Sequence, residues 1–193
     1  MAAHPSAPDT SSSRVSVPKL NKDPIQSLQP LSVELTIAGQ EFDIPAQSAA
    51  EWLTVLMVED LDLADIFPGM VEDPAPVEDL ILDGKLGLDE LEETILGILE
   101  IVSARPWWVA LRLVEIARTS WDVLGAELLL RGVDAAKVSL AAWLDMALLV
   151  ALRSMDPKDI QRFTLKLESP PPSAKKEEAD MEMSASQFMT MAG

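Results

Sequence analysis

The acidic stretch DLILDGKLGLDE, residues 79–90, comes nearest in this sequence to a metal-binding pattern. Aligned with the calcium loop of an EF-hand, it places Asp79 at the first position and Glu90 at the last, where oxygen ligands are needed. The third position also needs an oxygen ligand, but it holds Ile81. Because the residues before Gly84 have a helical pattern, we predict a helix end followed by an acidic helix start, and no metal site.

Clustered carboxylates could also serve acid–base catalysis or magnesium binding. The densest cluster consists of Asp89, Glu90, Glu92 and Glu93. No glycine-rich phosphate loop accompanies it, the chain has no cysteine, and its one histidine is His4, in the proline-rich leader. We therefore predict a solvated helix surface, no enzymatic activity and no cofactor. An enzyme that uses acidic residues and a divalent metal stays as the disfavoured alternative.

Asp145 lies in the middle of the most apolar segment of the chain, residues 138–152. That segment is shorter than the ~20 residues needed to span a bilayer, so we predict a helix covered by protein and no membrane partner. A carboxylate buried on such a helix needs a partner. We expect Asp145 to meet an arginine such as Arg112 or Arg131, the backbone donors of a loop, or a bound protein.

The segment RPWWVALRLVEIAR, residues 105–118, predicts a helix that is apolar except for one stripe of alternating charge, Arg112, Glu115 and Arg118. Trp107 and Trp108 point ~100° apart on it, which leaves one of them available as an exposed anchor. The five tryptophans either fill the core or bind a partner. The candidate partner-binding residues are Trp107, Trp108, Leu111, Trp121, Trp143 and Asp145.

The formal charge of −17 is concentrated in one part of the chain. Residues 34–100 hold 18 acidic side chains and one basic one, whereas residues 101–168 hold 8 acidic and 9 basic side chains. An acidic surface repels phosphate backbones, so we predict no nucleic-acid partner. The acidic part is either a solubilising face or a surface for a basic partner.

The order of local signals predicts a mainly α fold: a small helical bundle with a short N-terminal β-hairpin and disordered tails at residues 1–32 and 169–193. Alternating apolar residues flank Ala38-Gly39-Gln40, which predicts a hairpin in residues 32–44. Helix signals fill the rest of the domain at residues 33–168. Starts are predicted at Ser48, Pro106, Ser120, Ser139 and Asp156, and ends at Phe67-Pro68-Gly69-Met70, Gly84, Ser103, Gly132 and Glu168.

Three segments in this order, LTIAGQEFDIPAQSAAEWL, LILDGKLGLDEL and RPWWVALRLVEIARTSWDVLGAELLLRGVDAAKVSLAAWLDMAL, resemble the tail assembly chaperones of long-tailed phages that infect actinobacteria. The resemblance covers roughly residues 33–168, and the ending SASQFMTMAG fits it as well. It implies a small helical protein that coats the tape-measure protein before the tail tube polymerises around it. The long leader departs from the family pattern.

The resemblance also implies partners and a location. A ribosomal frameshift near the end of the gene commonly gives a longer second product in that family, and Lys175-Lys176 is compatible with a slippery sequence. Expected partners are the tape-measure protein, that longer product and further copies of the chain. The expected location is the host cytoplasm during assembly, with absence from the mature virion. A structural tail-tube or connector subunit, or an acidic helical adaptor for another partner, are the alternatives.

Overall fold

The computed structural model describes residues 29–58, residues 63–172 and Ala174. Most of the predicted leader and tail therefore lies outside the described residues. Within them the fold is mainly helical with an N-terminal hairpin, as predicted. The elements are β1 (Val33–Ile37), β2 (Gln40–Ile44), α1 (Ala49–Leu56), α2 (Leu63–Met70), α3 (Ala75–Leu82), α4 (Leu88–Ser103), α5 (Trp107–Thr119), α6 (Trp121–Leu130), α7 (Leu140–Ser154) and α8 (Pro157–Glu168).

The hairpin forms where the alternation predicted it. Strands β1 and β2 pair antiparallel, with Val33 opposite Ile44 and Leu35 opposite Phe42, and one face of the pair is buried. The turn consists of Ala38 and Gly39, whose φ angles of 49° and 80° are both left-handed. Two left-handed residues match the right-handed twist of the strands, so a two-residue turn closes this hairpin.

Helix α1 begins with the predicted capping box. Glu51 N–H donates to Ser48 Oγ at 3.4 Å, and Ser48 N–H donates to Glu51 Oε2 at 2.7 Å. Ala49 and Ala50 donate their N–H groups to carbonyl oxygens of Val138 and Ala135, at 2.8 and 2.9 Å. All four amides at this helix start thus have acceptors, and two of these acceptors belong to the loop before α7.

The prediction that Phe67-Pro68-Gly69-Met70 ends the first helix is wrong. Helix α1 ends at Leu56, and these four residues form the second half of α2, with Pro68 inside the helix. Phe67 and Met70, one turn apart, are both buried where α2 packs on α4. Burying two large side chains contributes about 3–6 kcal/mol, which offsets the ~3 kcal/mol that an internal proline costs.

The segment between α3 and α4 has the predicted helix end and acidic helix start. Gly84 has a φ of 65°, and the N–H groups of Gly84 and Lys85 donate back to carbonyl oxygens of Ile81 and Leu80, at 3.0 and 2.9 Å. This pattern is a Schellman motif. Because residues 79–82 are helical, they cannot form the extended ligand loop of an EF-hand.

Helix α7 lies beside α5 in the middle of the bundle. It packs against α1, α4, α5 and α6, and buries Leu140, Trp143, Leu144 and Ala147. Ser139 Oγ accepts the N–H of Ala142 at 3.1 Å, so the predicted cap is confirmed. The bundle core therefore includes this strongly apolar helix together with α5, which packs against α1, α4, α6, α7 and α8.

Two other predicted helix starts need correction. Helix α5 begins at Trp107, so Pro106 occupies its N-cap and not its first helical position. Ser120 is the N-cap of α6, but it forms no side-chain capping bond in the described chain. The backbone of Ser120, at φ −121° and ψ 21°, is not extended as a capping residue requires, because only this residue separates α5 from α6.

Helix α8 is held against α5 by an arginine. Arg112 Nη1 donates to the carbonyl oxygens of Leu167 and Ser169, at 2.9 and 2.6 Å, and Trp108 Nε1 donates to that of Glu168 at 3.3 Å. A cation at the C-terminus of a helix complements the helix dipole. Of the predicted alternating stripe, only Glu115 and Arg118 pair with each other, at 2.8 Å.

The two N-cap serines give a matched test of the local signals. Ser48→Ala removes a formed cap and is expected to lower the free energy of unfolding by ~1 kcal/mol, whereas Ser120→Ala removes none and is expected to change it by less than ~0.5 kcal/mol. Urea denaturation followed by circular dichroism measures both. Equal losses would contradict the assigned caps.

The capping box also predicts a pH dependence. Hydrogen bonds from the Ser48 hydroxyl and then the Ser48 N–H hold the pKa of Glu51 below its ordinary value of 4.5. A lowered pKa in the folded state means that this stabilisation is present above the unfolded pKa and is lost as pH falls through the folded pKa. Carboxyl NMR titration is expected to give a midpoint below 4.5 for Glu51, and Ser48→Ala is expected to raise it. An unchanged midpoint in that variant would contradict the assignment.

Candidate functional site

The outward side of α6 carries three strongly exposed apolar side chains. Leu124 and Leu128 are the only fully buried side chains of this helix. On its outward side Val123, Leu129 and Leu130 are 73%, 78% and 85% exposed. We call these three residues the outer α6 face. Large exposed apolar groups that lie together mark surfaces that bind other molecules.

A groove runs beside this face, between α6, the end of α5 and the end of α7. Its volume is about 470 Å³, and Val123 belongs both to it and to the outer α6 face. We call it the α5–α7 groove. Its apolar lining is formed mainly by Ile116, Val123, Leu124, Val150 and Met155. An apolar depression next to an apolar ridge can hold an extended or helical segment of another chain.

Charged side chains stand at the edge of the α5–α7 groove. Arg131 Nε donates to Glu127 Oε1 at 3.0 Å, so those two charges offset each other. Arg153 also lines the groove, is exposed, and forms no ion pair within the described part of the chain. The groove therefore combines an apolar floor with one unmatched positive charge.

The tryptophans are placed differently from the prediction for the pair on α5. Trp107 and Trp108 are both half-buried, in edge-to-face contact at 5.7 Å, so neither is a freely exposed anchor. Trp121 on α6 is 45% exposed and stacks on the buried Trp143, with ring centroids 6.1 Å apart. Trp121 is thus the tryptophan most open to a partner, and the indole of Trp108 contacts the end of α8.

Asp145 is not the buried carboxylate that the apolar sequence around it predicted. Its side chain is 66% exposed and pairs with Arg105, not with Arg112 or Arg131. The residue lies on the outward line of α7, four residues before the exposed Leu149 and eight before Arg153. This helix therefore has a solvent side in spite of its apolar sequence, and the charge needs no buried partner.

The six sequence candidates do not form one site. Trp107, Trp108 and the half-buried Leu111 belong to α5, where α8 packs, whereas Trp121 and Trp143 belong to the α6–α7 contact. The outer α6 face, the groove and Arg153 were not predicted from the sequence. One signal was available: apart from Asp122 and Glu127, α6 has apolar residues on every side, and such a helix is either fully buried or in contact with something outside its own chain.

In residues 29–58 and 63–172, no three His, Asp or Glu side chains stand where they could share a metal ion. No single described helix is long and apolar enough to cross a bilayer; α4 and α5 reach that length and composition only as a pair bent by 74°.

No protein-family model, curated protein or solved structure matches this chain. Its function is therefore inferred from its own surfaces and from the order of its sequence segments.

The two sides of α6 are expected to differ sharply in stability experiments. Leu128→Ala removes a buried side chain and is expected to lower the free energy of unfolding by about 2–5 kcal/mol. Leu130→Ala, on the outer α6 face, is expected to change it by less than ~0.5 kcal/mol. Urea denaturation at several protein concentrations measures both. A large, concentration-dependent loss for Leu130→Ala would instead place another copy of the chain on this face.

Proposed function

We propose that this protein is a non-catalytic tail assembly chaperone of a long-tailed phage. It binds helical, apolar stretches of the tape-measure protein and keeps them in solution until the tail tube encloses them. The single observation that carries the proposal is the outer α6 face beside the α5–α7 groove. The resemblance of three sequence segments to that family gives the proposal its partner.

The shape of this surface supports a helical partner. An amphipathic helix binds by laying its apolar side chains, spaced three or four residues apart, into a groove. Here Val123 and Leu130 are two turns apart on one side of α6, with the groove alongside. A helix lying along α6 would cover both leucines of the outer α6 face and place its own apolar side chains in the groove.

The charge distribution supports a solubilising role. Residues 34–100 carry nearly all the excess negative charge, and the charged side chains of α3 and of the first turn of α4 are exposed. The outer α6 face carries none of that charge. A complex in which α6 grips an apolar partner would therefore still present an acidic surface to water, and mutual repulsion would keep such complexes apart.

The alternative function is an acidic helical adaptor for another partner. It would use the same surface as the chaperone and would differ only in the protein that is bound there. A tail-tube or connector subunit is disfavoured, because the described residues contain no strands besides the two of the hairpin. The longer frameshift product, self-association and a host-cytoplasm location stay predictions. Lys175-Lys176 lies outside the described residues.

Co-expression with the tape-measure protein of the same phage tests the proposal. The variant Val123→Asp/Leu130→Asp places two charges on the proposed binding surface. The matched control, Leu82→Asp/Leu88→Asp, adds the same charge at positions that are 83% and 69% exposed on α3 and α4. We expect the tape-measure protein in the soluble fraction with the wild type and the control, and in the pellet with the α6 variant.

The dissociation constant of the purified complex makes the same test quantitative. Loss of more than ~1.4 kcal/mol of binding free energy weakens the complex at least about tenfold, and we expect this for the α6 variant alone. If the two double variants changed the affinity equally, α6 would not be the binding surface. A tape-measure protein that is as soluble without the chaperone as with it would overturn the proposed function.

A further inference from the structure

The α5–α7 groove has a matching segment in this chain. Residues 177–191, EEADMEMSASQFMTM, lie outside the described residues and combine acidic with apolar side chains. We call them the C-terminal segment. Its acidic residues come first, Glu177, Glu178, Asp180 and Glu182, and its apolar residues are Met181, Met183, Phe188, Met189 and Met191. This composition complements an apolar groove with an unmatched arginine at its edge.

The helix before the C-terminal segment ends beside the same part of α5 that borders the groove. Ala174, the last described residue, is buried, so the chain is still packed on the bundle five residues after Ser169. Arg112 fixes the end of α8 to α5, and the groove-lining residues Ile116 and Ser120 lie four and eight residues further along that helix. At a rise of 1.5 Å per residue, these steps are only about 6 and 12 Å.

The length of the chain is sufficient for contact. Fourteen residues lead from Ala174 to Phe188, and fully extended they span up to about 45–50 Å. A path around α5, which is about 10–12 Å across, needs less than that. The apolar end of the C-terminal segment can therefore reach the groove of its own molecule without moving α8.

We propose that the C-terminal segment docks in the α5–α7 groove of its own molecule. Phe188, Met189 and Met191 occupy the apolar floor, and the preceding carboxylates lie toward Arg153. Methionine suits this position, because its unbranched side chain adapts to an irregular apolar cavity. A short tether gives the segment an effective concentration in the millimolar range at the groove, so even a weak contact is populated.

A docked C-terminal segment would compete with a partner protein for the groove. This consequence, unlike the docking itself, rests on the proposed function. A partner must displace the C-terminal segment before it enters the groove. If the segment covers the groove in about nine molecules of ten, the apparent Kd of the partner is about tenfold weaker than for an open groove. The protein would then hold its apolar groove covered until a strongly binding helix arrives.

Paramagnetic NMR on the full-length chain tests the docking without any partner. The chain has no cysteine, so Ser186→Cys carries a single nitroxide label beside the apolar residues. We expect amide signals of α6 and of the C-terminal half of α7 to lose most of their intensity, while those of β1 and β2 keep theirs. Absence of that loss would overturn the proposal.

A matched variant and a mixing experiment complete the test. The triple variant Phe188→Ser/Met189→Ser/Met191→Ser, with the same label, is expected to restore the α6 and α7 signals, and unchanged broadening would overturn the apolar docking. Broadening of an unlabelled, isotope-enriched copy by a labelled, unenriched one would show docking between molecules and overturn the intramolecular contact.

Binding of the tape-measure protein separates the two proposals. The triple variant is expected to bind it about tenfold more tightly than the wild type, as an open groove requires. Equal affinities would overturn the competition. If neither chain binds the tape-measure protein, the proposed function fails, while the NMR result still decides whether the segment docks.

Discussion

The burial of α7 beside α5 is the interaction on which the positions of α1, α4 and α6 depend, because each of these helices packs against both. Four helices pack against α7, and the loop before it provides carbonyl acceptors for the first amides of α1. Trp143 and Leu144 occupy the centre of this contact, and both are buried. A change that moves α7 would therefore affect the start of α1 and the positions of α4, α5 and α6 together.

The central position of α7 also limits what α6 can bury. The inward side of α7 is shared among α1, α4 and α5, so α6 meets the bundle at its edge and buries only Leu124 and Leu128. Its remaining apolar side chains face water, although the helix is apolar all round. A sequence with this much apolar surface in one short helix is more stable when that surface is covered, and this is the physical basis for a binding role.

The acidic and the near-neutral parts of the chain share one hydrophobic core, and they differ in what they present to solvent. Exposed carboxylates cover α3 and the start of α4, whereas exposed leucines and arginines surround α6 and the end of α7. One molecule can therefore bind an apolar segment on one surface and repel its neighbours with another. This separation is also what makes an acidic, methionine-rich segment a suitable occupant for a groove with Arg153 at its edge.

Signals that depend on residues within about a dozen positions of one another could be predicted from the sequence. These include the hairpin around Ala38-Gly39, the cap of α1 at Ser48 and the end of α3 at Gly84, because each is stabilised by hydrogen bonds between residues close in the chain. The helical class follows from them. The order of the predicted helices was thus set locally, but α2 was not predicted as a separate helix.

The tertiary structure alone decided the rest. Pro68 lies inside a helix because distant residues of α4 cover Phe67 and Met70; Asp145 pairs with Arg105, forty residues away in the sequence. Which side of α6 is exposed could not be predicted either, since a helix that is apolar on all sides has no periodic pattern to orient it. The surface of α7 is shared among four helices, so only one side of α6 packs against it. Leu124 and Leu128 lie on that side and are buried, whereas Val123, Leu129 and Leu130 are exposed.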